Sequence, residues 1–204
     1  MTILSADMQG RATALQFVKD GCTRLVLTDI IEETLNETVR LIKDINSDVE
    51  IEAIVGDLNS EEFVEQMVSE TVESFGSLNY AVNAAGISGK SIATDELDFE
   101  EYRRVQSINM EALWFCERAE LRAMLAQEPV NGYLNRHVPL ITNRVRGSIV
   151  NVSSVLGIRG APRAVPYVVS KHAIVGLTKA DACTYASQGI RVNCVSPGYS
   201  CQTA

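Results

Sequence analysis

Two kinds of apolar pattern alternate along this chain from one end to the other. In RLVLTD (Arg24 to Asp29), IEAIV (Ile51 to Val55), LNYAVNAAG (Leu78 to Gly86), GSIVNVSS (Gly147 to Ser154) and RVNCVSPG (Arg191 to Gly198), apolar residues run almost continuously over a short span. Such runs predict strands buried on both faces, as in a covered parallel sheet. Between them, apolar residues recur every three or four positions, which predicts helices. RATALQFVKDG reads as a helix stopped by Gly21, and a second helix covers about Glu32 to Asn46. Asn59 is the expected cap of a third that runs to about Phe75, with Glu62 three residues on completing a capping box. A long helical region follows from about Phe99 to Leu125, and a last helix begins at Pro166. Residues 126–146, with Pro129, Asn131, Gly132 and Pro139 and no period, read as a surface insertion. This alternation predicts an α/β fold, a doubly wound parallel sheet between two helix layers, with residues 1–204 as a single domain.

Composition narrows the function. The 204 residues are 46% hydrophobic and 22% charged, an ordinary globular balance, and the net charge of −8 argues against a nucleic-acid or anionic-membrane footprint. The nearest basic cluster, Arg136, Arg144 and Arg146, reads as a solvated loop. No stretch approaches the roughly 18 apolar residues of a membrane span, and MTILSADMQG lacks a basic and apolar leader, so the cytosol is the expected location. Five cysteines (Cys22, Cys116, Cys183, Cys194, Cys201) without a C-x-x-C pair, and two histidines (His137, His172), support neither a disulfide framework nor a metal site.

The candidate chemistry lies near the C-terminal end. Tyr167 and Lys171 stand four apart on one predicted helix and so share a face. A phenol ionises near pH 10 and needs a close positive charge to act as an acid or base near neutrality. Ser154, at the end of a predicted strand, precedes Tyr167 by thirteen residues. Taken singly, Tyr167 and Lys171 read as an exposed helical pair, Ser154 as a hydroxyl bonded to backbone and Asn109 as a helix-kink residue.

Taken together, the motifs are specific. NAAG (Asn83 to Gly86), SIN with Asn109, NVSS with Ser154, YVVSK with Tyr167 and Lys171, and RVNCVSPG with Pro197 and Gly198 follow the order and spacing of the short-chain dehydrogenase/reductase family, which the chain resembles from Gly10 to Gly198. The resemblance implies a Rossmann-type fold and hydride transfer between NAD(P)(H) and an alcohol or carbonyl substrate. It makes Tyr167 the general acid or base and Lys171 its charge partner and ribose ligand. Ser154 becomes the donor to the substrate oxygen, and Asn109 the holder of a relay water. It assigns Gly10 to the pyrophosphate turn, Asp29 to the adenosine ribose, Asp57 to the adenine, Asn83 and Gly86 to the ribose region, and Ser200 to the nicotinamide side. Asp29, 19 residues after Gly10, favours NAD(H) over NADP(H), because a carboxylate repels a 2′-phosphate. A small-molecule alcohol or ketone and a homodimer or homotetramer are the implied partners, and the long insertion is similar to that of fungal members in secondary metabolism.

The sequence also departs from the family. Counting back from Gly10, the glycine-rich turn would place glycines where Leu4 and Met8 stand, which predicts weak cofactor binding. Nine residues precede Gly10, so the first, central strand is expected to be missing, with Thr2, Ile3 and Leu4 filling part of the slot. The chain stops at Ala204, so the family's C-terminal strand and substrate cover are expected to be missing too, and Gln202 stands at the usual threonine position. The alternative reading is a shortened, non-catalytic chain acting through oligomerisation or partner binding by the helices that carry Trp114 and Tyr167.

Overall fold

The computed structural model describes residues 2–5, 8–131 and 144–198. Strand β1 (Thr2–Ser5) leads to helix α1 (Met8–Lys19), β2 (Arg24–Asp29), α2 (Glu32–Ile45), β3 (Glu50–Val55), α3 (Glu61–Phe75) and β4 (Tyr80–Asn83). Helix α4 (Phe99–Gln106) passes through a π-helical turn (Ser107–Glu111) into α5 (Ala112–Ala126). Two-residue strands β5 (Val130–Asn131) and β6 (Arg144–Val145) pair antiparallel, and β7 (Gly147–Val152), α6 (Val165–Tyr185) and β8 (Ile190–Val195) follow.

The main sheet has six parallel strands in the order β3-β2-β1-β4-β7-β8. Alternate side chains of β2 enter opposite helix layers, as its continuous apolar run requires. In β2, Leu25 and Leu27 pack with Ala14, Val18, Leu35 and Ile42 of α1 and α2, whereas Val26 packs with Val64, Met67, Cys116 and Met124 of α3 and α5. Strand order reverses between β1 and β4, and that switch point opens a crevice at the C-terminal strand ends where α/β sheets bind ligands.

Four sequence expectations need correction or completion. The central slot is filled: Thr2–Ser5 pairs with Leu25 to Thr28 on one side, and Thr2 to Leu4 with Tyr80 to Val82 on the other. Ladder bonding on both sides makes these few residues worth placing there, because an empty slot would strand buried amides of β2 and β4. Leu4 therefore lies in the strand rather than in a glycine turn, and Met8 opens α1. The third helix is capped one residue later than expected: Ser60 Oγ accepts from Phe63 N at 3.2 Å, while Asn59 bonds to Asp57 and Ser107. The long helical region is not uniform, since the π turn interrupts it at Asn109. Of the expected insertion, residues 132–143 lie outside the described residues, and β5 and β6 close its base.

The layer between the sheet and α5 and α6 holds buried polar groups that apolar periodicity does not anticipate. Glu117 and Glu120, one turn apart on α5, are fully buried. Asn83 Nδ2 donates to Glu120 Oε2 and to Asn151 Oδ1, both at 3.1 Å, and Asn151 Nδ2 donates to Glu117 Oε2 at 2.9 Å and Thr178 Oγ1 at 3.0 Å. Burial pushes Glu117 up to about 7, with the Asn151 bond opposing and the neighbouring Asp181 adding to the rise. Burial likewise pushes Glu120 up to about 8, against the pull of Asn83 and with help from Glu117. Both carboxyls bind a proton more tightly in the fold than in the unfolded chain.

Their contribution to stability is therefore complete below about pH 4.5 and is lost as pH rises through about 7 to 8. Urea unfolding of the Glu120→Gln variant between pH 5 and pH 8.5 should show a shallower decline than the parent, by up to about 1.4 kcal/mol per pH unit. Superimposable pH profiles would remove Glu120 as the titrating group.

Candidate active site

The Tyr167–Lys171 pair sits in the first two turns of α6, a helix started by Pro166, where a missing N–H costs nothing. Lys171 is 3% exposed, and its Nζ lies 5.6 Å from the centre of the Tyr167 ring. A buried ammonium needs hydrogen-bond acceptors, and Lys171 Nζ donates to the carbonyl of Val152, the last residue of β7, at 2.9 Å. In return, Ser153 Oγ donates to the Lys171 carbonyl at 2.8 Å. These two bonds lock the end of β7, from which Ser154 projects, onto the helix that carries Tyr167.

Ser154 is half-buried, and its Oγ accepts from Leu156 N at 3.1 Å, capping a short 3-10 turn. The backbone-bonding role foreseen for this serine is thus present, and the hydroxyl stands two residues beyond the Val152 carbonyl that anchors Lys171.

Asn109 is fully buried in the π turn, a form of helix frequent at functional sites. Its Oδ1 accepts from Ile87 N at 2.8 Å, and its Nδ2 donates to Ile87 O at 2.9 Å and to Ser170 Oγ at 3.0 Å. Ser170 Oγ in turn donates to the Tyr167 carbonyl at 2.8 Å. The kink and the bonding role coincide, because the π turn carries the amide to the loop after β4. In that loop, a β-carbon at Gly86 would stand 3.1 Å from Asn109 Oδ1 and 3.4 Å from Lys171 Nζ. Asn109, Tyr167, Lys171 and Gly86 thus share one corner of the molecule, at the C-terminal ends of β4 and β7.

Comparison with known proteins identifies the family. Residues 7–204 match the family model of the short chain dehydrogenases. The chain belongs to the short-chain dehydrogenase/reductase family. It is 36% identical over 197 residues to the short-chain dehydrogenase fogB of Aspergillus ruber, covering 93% of this chain and 70% of the relative. It is also 36% identical over 188 residues to a 3beta-hydroxysteroid dehydrogenase of Mediterraneibacter gnavus, covering 92% of this chain and 60% of the relative. Among solved structures, an NAD+-bound xylitol dehydrogenase superposes with a TM-score of 0.84 at 30% identity, covering 97% of this chain and 69% of that one. Members of this family with the same fold have been solved with NAD+ or with NADPH. The chain spans 60 to 70% of the length of these two curated relatives.

The residues expected to hold the cofactor divide. Asp29 ends β2, and its Oδ1 accepts from Ile31 N at 2.9 Å, fixing the carboxylate at the strand tip. Thr28 beside it is buried with an Oγ that has no partner among the described residues. With Val82, Ala84 and Ala85, Thr28 lines a narrow cavity at the crevice. Gly86 provides the close approach described above. These features fit a dinucleotide. Gly10 is buried in the first turn of α1, near the helix start where a pyrophosphate would lie. Asp57 is exposed, and its Oδ1 accepts from Asn59 N and Nδ2, so it shapes the turn before α3. Asn83 lines the same cavity as Thr28, and its amide nitrogen donates to Glu120 and Asn151, because burial rewards pairing it there. Ser200 lies outside the described residues. Among the described residues there is no group of three or more His, Cys, Asp or Glu side chains able to hold a metal, and no helix is long and apolar enough to cross a membrane.

Ser153 and Ser170 stand inside the motifs, but the sequence alone assigns neither a role. Ser170 lies one turn from Tyr167 on the buried side of α6, a position where a polar residue demands a partner. Gly157 is a further support: a β-carbon there would meet Ser153 Oγ and come within 2.7 Å of the Lys171 carbonyl oxygen. Gly157→Ala should lower unfolding stability by about 1–3 kcal/mol in urea titration, through overpacking of this joint. Parental stability would show that the joint gives way freely.

Proposed function

We propose that this chain forms the catalytic core of a nicotinamide-dependent oxidoreductase that interconverts an alcohol and a carbonyl compound. The observation that carries the proposal is Lys171, whose buried ammonium lies beside the Tyr167 ring, the end of β7 and Gly86. When bound, the nicotinamide supplies or accepts the hydride. Tyr167 passes the proton between its hydroxyl and the substrate oxygen. The positive charge of Lys171 stabilises negative charge that develops on that hydroxyl and binds the ribose. Ser154 donates to the substrate oxygen as charge builds on it. Asn109 holds the β4–α4 loop and the start of α6 in register and, as the proposed holder of a relay water, connects Tyr167 to solvent.

The carboxylate of Asp29 favours NAD(H), since it accepts from a free ribose hydroxyl and repels a phosphate in the same place. Asp57, Gly10, Asn83 and Gly86 complete the proposed dinucleotide path, with Ser200 on the nicotinamide side. The substrate is a small alcohol or ketone, and the working form is a cytosolic homodimer or homotetramer.

In an assay with NADH and a panel of small ketones, Tyr167→Phe should lower turnover by at least about 10², the usual loss for an acid-base group. Undiminished turnover would reject the assignment. Asp29→Ala should raise the preference for NADPH over NADH by about tenfold or more, equivalent to about 1.4 kcal/mol. An unchanged ratio of kcat/KM values would move the cofactor discrimination elsewhere.

A further inference from the structure

Two loops frame the corner that holds Tyr167 and Lys171, and they are tied to each other away from it. One runs from Ala84 to Asp98 between β4 and α4; the other runs from Ser153 to Ala164 between β7 and α6. Ile92 N of the first donates to the Arg163 carbonyl of the second at 3.0 Å. The Arg163 guanidinium also reaches Glu96 Oε2 at 3.5 Å.

Arg163 has φ of 60°, and among the described residues it is the one non-glycine residue in the left-handed region. That conformation is unfavourable for an L-residue and persists where the surroundings fix it. Here it turns the Arg163 carbonyl toward Ile92 immediately before Ala164, whose carbonyl accepts from Val168 N in the first turn of α6. Tyr167 lies within that turn.

The first loop is held at two more points. Asn109 brackets the backbone of Ile87. Glu101, 5% exposed and engaged by two nitrogens of Arg104 at 3.0 Å, accepts from Lys90 N at 2.8 Å. Gly89, at φ of 72°, lets the loop lie against α4, where a β-carbon would come within 2.7 Å of Val105. Residues 87, 90 and 92 are thus each held by a hydrogen bond, one of them to the Arg163 carbonyl.

We infer that Arg163 is a positioning residue whose left-handed backbone straps the β4–α4 loop to the start of α6, so that Gly86 and Tyr167 move as one body. The inference rests on the hydride-transfer reading for its consequence in catalysis, but the mechanical coupling stands on the hydrogen bonds alone. The backbone carries the strap: the Arg163–Glu96 pair has both side chains more than half exposed, and exposed pairs contribute little.

Hydrogen exchange at single amides tests the strap, with Arg163→Gly, Arg163→Val, Glu96→Gln and Ile92→Pro compared with the parent. Arg163→Gly keeps the left-handed backbone available and should leave exchange at Ile92, Ile87 and Val168 within about threefold of parental rates. Glu96→Gln should do the same. Arg163→Val, whose branched side chain disfavours this conformation, should speed exchange at all three amides by about tenfold or more. Ile92→Pro removes the donor outright and should speed Ile87 and Val168 alike, which keeps the test decisive should the valine variant fail to fold.

In turnover, Arg163→Val should lower kcat by about tenfold with KM for NADH changed by less than about threefold, and Arg163→Gly should restore it. Parental exchange at Val168 in both Arg163→Val and Ile92→Pro would overturn the strap, as would equal damage from Arg163→Gly and Arg163→Val. If the parent neither binds NADH nor turns over, the hydride-transfer reading falls while exchange still decides the coupling.

Discussion

A buried ammonium organises this molecule's chemistry. Lys171 has lost its water, and a charge taken out of water is tolerated only where acceptors are already in place. That requirement fixes the end of β7 through the Val152 carbonyl and is reinforced by the return bond from Ser153 to the Lys171 carbonyl. It explains two glycines as well. A β-carbon at Gly86 would press on Asn109 Oδ1 at 3.1 Å and reach the Lys171 ammonium at 3.4 Å, and one at Gly157 would come within 2.7 Å of the Lys171 carbonyl oxygen. The strand tip, the helix and the β4 loop therefore meet at Lys171, and the Tyr167 ring lies beside it.

Below that joint the fold supplies rigidity from an unusual source. Asn83 and Asn151, paired across adjacent strands β4 and β7, extend hydrogen bonds to Glu120 and Glu117 on α5 and to Thr178 on α6. Buried polar networks specify register when they are satisfied, because any slip leaves amides unpaired. Burial raises the affinity of both carboxyls for a proton, which makes the same network sensitive to alkali. Strands β4 and β7, whose ends carry Gly86 and lead into Ser154, are thus fixed to each other and to both helices behind them.

Most of the architecture was legible in the sequence, because continuous apolar runs and threefold-to-fourfold periodicity report burial directly. Strands β2, β3, β4, β7 and β8 and the helices between them fall where those patterns place them. Strand β1 was harder to see: a four-residue segment carries little periodic signal, and its place is set by unpaired ladders on both neighbours. The motifs name Asn109, Tyr167 and Lys171, but the bonds among them run through Ser170, Ser153 and the Ile87 backbone. Hydroxyls and main-chain groups announce no partner in a linear string. Nor does the string announce that the Asn83 amide pairs with Glu120 and Asn151. Glu117 and Glu120 sit in a run that also holds Arg118 and Arg122, and charge alone does not mark which of these side chains are buried.

The central claim is that Tyr167 and Lys171 operate as one unit at the joint between β7 and α6. A double-mutant cycle in kcat/KM, using Tyr167→Phe, Lys171→Met and the pair combined, tests it most directly. If the two act together, the combined variant will be scarcely slower than the more damaged single variant. Losses that multiply, each substitution exacting its full cost in the presence of the other, would contradict the account.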